Sequence, residues 1–241
     1  MAAHFWTVIL KTHYILLLAA LWFFSCDKEN APEKPCTKLL ENPAGRTYGC
    51  TDVIEVSYTG NYCGFMPISD RTYWVYEDSI FEDGIFKMKR LDTLRFSKKY
   101  MTITDNIIWW EADKFLGLPS KLYANDSGIY KLEYRMFSSP CVMDVKKEYY
   151  EPEQDFTQYL TSFDDDAAIG RINKLHSPVT VPMGSFEQCI SFEKFAPTYR
   201  SDKVIIKMGV GVIKFIHQLA PPSDTEIKLQ LVSSLVGVYK E

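Results

Sequence analysis

The residue of this chain best equipped for chemistry is a cysteine that closes an apolar run. Residues 14–26 read YILLLAALWFFSC, and Asp27, Lys28 and Glu29 follow at once. An ionised thiol is a strong nucleophile. Cys26 stands where the apolar run meets charged residues, with the small Ser25 just before it. The run over 15–24 has the length of a secretion signal's apolar region. It is shorter than the roughly 20 residues that span a bilayer, and Lys11 and His13 interrupt its extension back toward residues 5–10. The rival reading of the same residues is a retained N-terminal membrane anchor.

Five further cysteines follow: Cys36, Cys50, Cys63, Cys141 and Cys189. Export would permit disulfides, and an odd number leaves at least one thiol unpaired within the chain. Cys36 and Cys50 flank the turn-rich Glu41-Asn42-Pro43-Ala44-Gly45 and are the expected pair. A loop of that length is worth about 3 kcal/mol by the chain-entropy argument. Cys63 and Cys141 are the second candidate pair, although spacing does not dictate connectivity. Cys189 falls in an alternating strand pattern, where a buried, inert thiol is expected.

Other chemistries find less support. There is no GxSxG motif and no CxxC, and the histidines at 4, 13, 176 and 217 are scattered, which gives no metal spacing. No catalytic residue, metal or cofactor is therefore assigned. A hydrolase would need His176 or His217 beside a carboxylate, with a serine or cysteine in the same cleft. Gly209-Val210-Gly211 precedes no helical pattern, so it reads as a bulge or tight bend and not as a phosphate cradle. The acidic groups at 77–83 and 164–166 lack the spacing of a calcium loop and read as solvated. Trp109 and Trp110 are the candidate stacking residues. Neighbours on a strand face opposite ways, so one indole suffices for the core and the other would offer a platform to a sugar or a partner's aromatic ring.

Composition sets the frame for these residues. The chain has 241 residues, of which 46% are hydrophobic, 24% charged and 15% aromatic. That is a globular composition, and the wealth of Tyr and Phe favours strands. The formal charge is −4, and residues 1–25 contain Lys11 and no acid. No basic patch is present to seek nucleic acid.

The N-terminal stretch resembles the lipobox of bacterial lipoproteins, on Ser25-Cys26 and the apolar run that stops there. In that family the cysteine thiol is alkylated by diacylglycerol, the chain is cut before it, and the new amino group is acylated. Phe23 and Phe24 depart from the usual leucine-small pattern, a departure that lipoproteins of the Bacteroidetes type tolerate. The resemblance implies lipidation at Cys26, and several acyl chains at about 0.8 kcal/mol per buried CH₂ hold a domain firmly on a bilayer. Residues 27–35, DKENAPEKP, are charged and carry two prolines, which suits a tether. Lys28-Glu29 also resembles the charged surface-export signals of such lipoproteins.

The elements that follow read as strands. Residues 36–70 are rich in Gly, Pro, Asn and Cys and read as a loop-like wrap on the core, with one short strand at 53–58. Residues 72–79 (TYWVYEDS) form a strand, Glu82-Asp83-Gly84 a turn, and 85–96 the returning arm. A further strand over 100–111 ends in the two tryptophans. Residues 128–136 alternate cleanly, with Tyr130, Leu132, Tyr134 and Met136 on one face and Lys131, Glu133 and Arg135 on a wet face, the mark of an antiparallel sheet. Residues 137–176 read as a long acidic connection with a short helix near 156–163. Strands resume at 178–193, 204–216 and 226–239.

Two of these stretches, 73–96 and 181–194 with 208–216, resemble uncharacterised β-barrel domains of Bacteroidetes envelope lipoproteins. The resemblance implies a fold and a location; no activity comes with it. The expected architecture is all-β: a curved antiparallel meander forming a barrel or half-barrel, with the long acidic loop and one short helix. The expected organisation is a signal peptide over 1–25, a tether over 26–35 and a single β-rich domain over 36–241. The expected role is a non-catalytic binding or structural one on the bacterial outer membrane, lipid-anchored on its periplasmic or cell-surface side. The partner would be an envelope protein, a lipid or other apolar ligand, or a glycan, and no nucleic acid.

Overall fold

The computed structural model describes residues 36–135, 138–163, 166–221 and 225–241. Cys26 and the tether lie outside them. In chain order the strands are β1 (Thr37–Lys38), β2 (Thr47–Gly49), β3 (Val53–Glu55), β4 (Asn61–Cys63), β5 (Ile68–Ser69), β6 (Thr72–Glu82), β7 (Ile85–Leu94), β8 (Phe96–Thr102), β9 (Ile108–Ala112) and β10 (Lys121–Asn125). They continue as β11 (Gly128–Tyr134), β12 (Val142–Tyr150), β13 (Phe156–Phe163), β14 (Asp166–Leu175), β15 (Val179–Val181), β16 (Gly184–Phe186), β17 (Cys189–Ala196), β18 (Arg200–Lys207), β19 (Gly211–Leu219) and β20 (Lys228–Lys240). Among the described residues the helical content is a single 3-10 turn, Cys50–Asp52. The all-β expectation holds.

Two antiparallel sheets dominate. One runs β2-β12-β11-β10-β9-β8-β3 and the other β13-β14-β17-β18-β19-β20-β6-β7. In the seven-stranded sheet the two edge strands, β2 and β3, are separated in sequence by only the 3-10 turn. A link of that length forces the edges together, so the sheet curls into a half-barrel. Asp105, in the turn between β8 and β9, fastens the same closure. Its carboxylate accepts hydrogen bonds from Arg46 Nη1 at 2.5 Å, Tyr48 Oη at 2.7 Å and Thr102 Oγ1 at 2.5 Å.

Over most of its strands the half-barrel packs on both faces. Trp110, Leu122, Ala124 and Ile129 pack with Trp74, Tyr76, Phe192, Ile206 and Phe215 of the eight-stranded sheet. On the other face Trp109, Tyr123, Tyr130, Leu132, Met143 and Val145 cluster with Tyr48. The wrap predicted for residues 36–70 is real: Phe65, Met66 and Ile68 from it are core residues.

Three expectations need correction. The long acidic connection with a short helix is instead β12, β13 and β14. β13 (FTQYLTSF) is rich in residues that favour strands and pairs with β14 along its whole length, from Phe156↔Asn173 to Phe163↔Asp166. The acids that suggested a loop include Glu151, Glu153 and Asp155, which gather in the link between β12 and β13. The strand predicted over 100–111 is two strands, because Asn106 takes a positive φ of 58° and turns the chain between Thr102 and Ile108. The pairings Cys36–Cys50 and Cys63–Cys141 do not occur. Cys36 is bonded to Cys63 and Cys50 to Cys141, with Cα separations of 5.3 and 5.6 Å. The first bond joins the parallel neighbours β1 and β4. The second fixes the 3-10 turn to the start of β12, beside the pairing of β12 with β2. Two disulfides fit an oxidising compartment outside the cytoplasm.

Candidate functional site

The residues singled out in the sequence do not assemble into one site. Trp109 and Trp110 do point to opposite faces of β9, but each face is a core. Their exposures are 0% and 1%, so neither is a stacking platform. Cys189 is buried, and its Sγ lies 3.3 Å from the Phe186 carbonyl. Burial raises its pKa, which keeps the thiol protonated and unreactive. His176 sits on the surface 3.1 Å from Asp155. His217 is better placed: Nδ1 lies 2.6 Å from Asp202 Oδ1, and because a carboxylate only accepts, the ring donates. Among the described residues no serine, threonine or cysteine is hydrogen-bonded to either histidine. Nor do three or more metal-ligating side chains gather among them.

What the fold does build is a cleft of about 250 Å³ between the two sheets, open to solvent. One wall is β11 and β12, the other is β13, β17 and β18, and the segment 115–120 closes one end. Neighbouring interactions hold that segment in place. Lys114 Nζ reaches Asp78 Oδ2 at 2.6 Å and Asp92 Oδ2 at 2.9 Å, and Ser233 Oγ donates to Asp78 Oδ1 at 2.6 Å. Tyr149, on β12, donates its hydroxyl to the Gly117 carbonyl.

The lining is charged and aromatic together. On the β11–β12 wall Lys131 Nζ sits 2.8 Å from Glu133 and 3.0 Å from Glu148. Burial alone would lower the Lys131 pKa, but Glu148 and Glu133 more than offset it and hold the ammonium above its usual range. Burial likewise works to raise Glu133, yet Lys131 and Lys146 keep it below the usual carboxylate range. On the facing wall Arg200 donates from Nε and Nη2 to Asp202 Oδ2 at 3.0 and 2.6 Å. Its guanidinium lies 4.7 Å over the Phe163 ring, and Lys194 Nζ lies 5.2 Å from the same ring. Lys194 also approaches Glu148, at 3.8 Å.

No family model, no curated protein and no solved structure matches this chain. The cleft is therefore read from its own side chains. Its cations each have a carboxylate neighbour, so it offers donors and acceptors in place without a net field of one sign. A protonated Lys131 is a poor base or nucleophile. The arrangement suits recognition of a polar ligand. Sequence reading found half of one wall: the alternation that set Lys131 and Glu133 on a wet face is correct. It missed Tyr159, Phe163, Arg200 and Asp202, which come from β13 and β18. The strand reading started at 204 and left out residues 200–203, and 156–163 read as a helix.

Proposed function

We propose that the chain is a lipid-anchored cell-envelope protein of the bacterial outer membrane, with Cys26 carrying the acyl groups and residues 27–35 as the tether. Its domain acts as a non-catalytic binding module. The observation that carries the binding role is the cleft between the sheets, lined by compensated charges and aromatic rings. Carriage of an apolar ligand is disfavoured, because the inner face of the half-barrel is filled by Trp109, Tyr123, Tyr130, Leu132, Met143 and Val145. Catalysis is disfavoured because, among the described residues, no serine, threonine or cysteine is hydrogen-bonded to His217. The envelope location draws support from the two disulfides and from the lipobox resemblance at Ser25-Cys26.

The anchor is tested by Cys26→Ala in a bacterial host. The wild-type protein is expected in the membrane fraction with radiolabelled palmitate attached, and the variant is expected to lose both. Membrane attachment of an uncleaved variant would point to a retained helix instead.

A further inference from the structure

We propose that the cleft is a saccharide site, with Tyr159 as the stacking ring and Glu148, Lys131 and Lys194 as the grip on hydroxyls. This rests on the reading of the cleft as a binding site and names its ligand class. Tyr159 stands directly across from Gly170 in the β13–β14 ladder. A Cβ on Gly170 would come within 2.3 Å of Tyr159 Cζ and 2.5 Å of Cε2. The phenol end of the ring therefore overlies the glycine backbone, a packing that only a residue without a side chain allows. One face of the ring is thus spent on β14, while the residue keeps 38% of its surface exposed and lines the cleft. Burial, and next the charge of Glu148, push the Tyr159 hydroxyl up to about 12, so it stays a neutral donor.

The rest of the lining selects the ligand by elimination. An apolar ligand would strip water from Lys131, Glu133, Glu148, Lys194, Arg200 and Asp202, at a cost it could not return. An ion of either sign would meet both signs and have to break an existing pair. A neutral polyhydroxylated ligand needs no pair broken. A carboxylate has about four lone-pair sites and an ammonium three donors, and Lys194 stands 3.8 Å from Glu148, too far for a hydrogen bond. Both groups therefore keep hydrogen-bonding capacity aimed into the cleft. An aromatic ring beside such groups binds the apolar face of a pyranose while they take its hydroxyls. The volume of about 250 Å³ suits the end of a short saccharide, with the open side leaving room for the remainder.

The test is saturation-transfer NMR on the full-length protein in detergent, with chitotriose, xylotriose, maltotriose and a zwitterionic dipeptide as probes. At least one saccharide is expected to bind. Tyr159→Ala should weaken that binding about tenfold, and Gly170→Ala should weaken it by displacing the ring. Tyr159→Phe should retain it. Thermal unfolding of each variant reports whether the fold is intact, and Tyr159→Ala on an edge strand is the variant expected to keep it. If no saccharide binds, or if binding ignores Tyr159→Ala, the saccharide assignment is overturned. Dipeptide binding lost in Glu148→Gln, with no saccharide bound, would overturn the ligand class and leave the binding cleft standing.

Discussion

Asp105, in the turn after β8, reaches Arg46 and Tyr48 at the β2 edge of the sheet, and its ionisation state bears on whether that sheet stays closed. Burial works to raise its pKa, but hydrogen bonds from Thr102, Tyr48 and Arg46 outweigh it and hold the carboxyl below its usual 3.8. A depressed carboxylate contributes stability that is complete above its unfolded-state value and is lost as pH falls through the lower folded value. Asp92, Glu133 and Asp144 are depressed as well and act with the same sign. The expected result is a protein whose melting temperature is flat near neutrality and drops below about pH 4. Asp105→Asn should melt lower at neutral pH and show a shallower drop in acid. Melting curves across that range check it; an unchanged acid slope would mean that Asp105 does not titrate with folding. Nothing in the sequence around Asp105 marks it, because its partners Arg46 and Tyr48 stand more than fifty residues away.

At the scale of elements, the 3-10 turn Cys50–Asp52 carries the geometry of the half-barrel, and the Cys50–Cys141 bond is what fixes it to β12. The bridged residues are 91 apart in sequence. Closing so long a loop removes much entropy from the unfolded chain, about 4.5 kcal/mol by the chain-entropy argument. Cys50→Ser with Cys141→Ser should lower unfolding stability by a few kcal/mol, read as a fall in the urea midpoint. The Cys36–Cys63 bond spans 27 residues, and its loss should cost less. Expecting the Cys36–Cys50 pair from a turn-rich stretch treated closure as a local matter. Here it is topological, since β2 pairs with β12 and brings Cys50 to Cys141. The same limit hid the second tryptophan. Alternation along β9 correctly set Trp109 and Trp110 on opposite faces, but no local pattern tells that a curled sheet will bury its inner face too. Where one wet face survived, as in β11, the pattern was readable; where charges and aromatics mixed, as in β12 to β14, it was not.

At the scale of the whole molecule, β20 is the central fact of the eight-stranded sheet. It lies between β19 and β6, with Leu231↔Ile80 through Lys240↔Thr72 on one side and Leu219↔Lys228 through Lys214↔Ser234 on the other. Leu235 on this strand is fully buried, and Ser233 donates to the buried Asp78. Deleting residues 228–240 should leave a five-stranded and a two-stranded piece with unpaired edges and abolish the single cooperative unfolding transition, which calorimetry would report. An all-β character and the turn between β6 and β7 were legible from periodicity alone. The sheet order was not, since a strand's partner over 150 residues away leaves no trace in local alternation. The position of β20 also sets an order of events. β20 is the strand that joins β19 to β6, so until residues 228–240 pair the larger sheet stays in two pieces. Both disulfides draw on residues no later than Cys141 and can close earlier. The larger sheet thus becomes continuous only when β20 inserts between β19 and β6, whichever disulfide has closed before it.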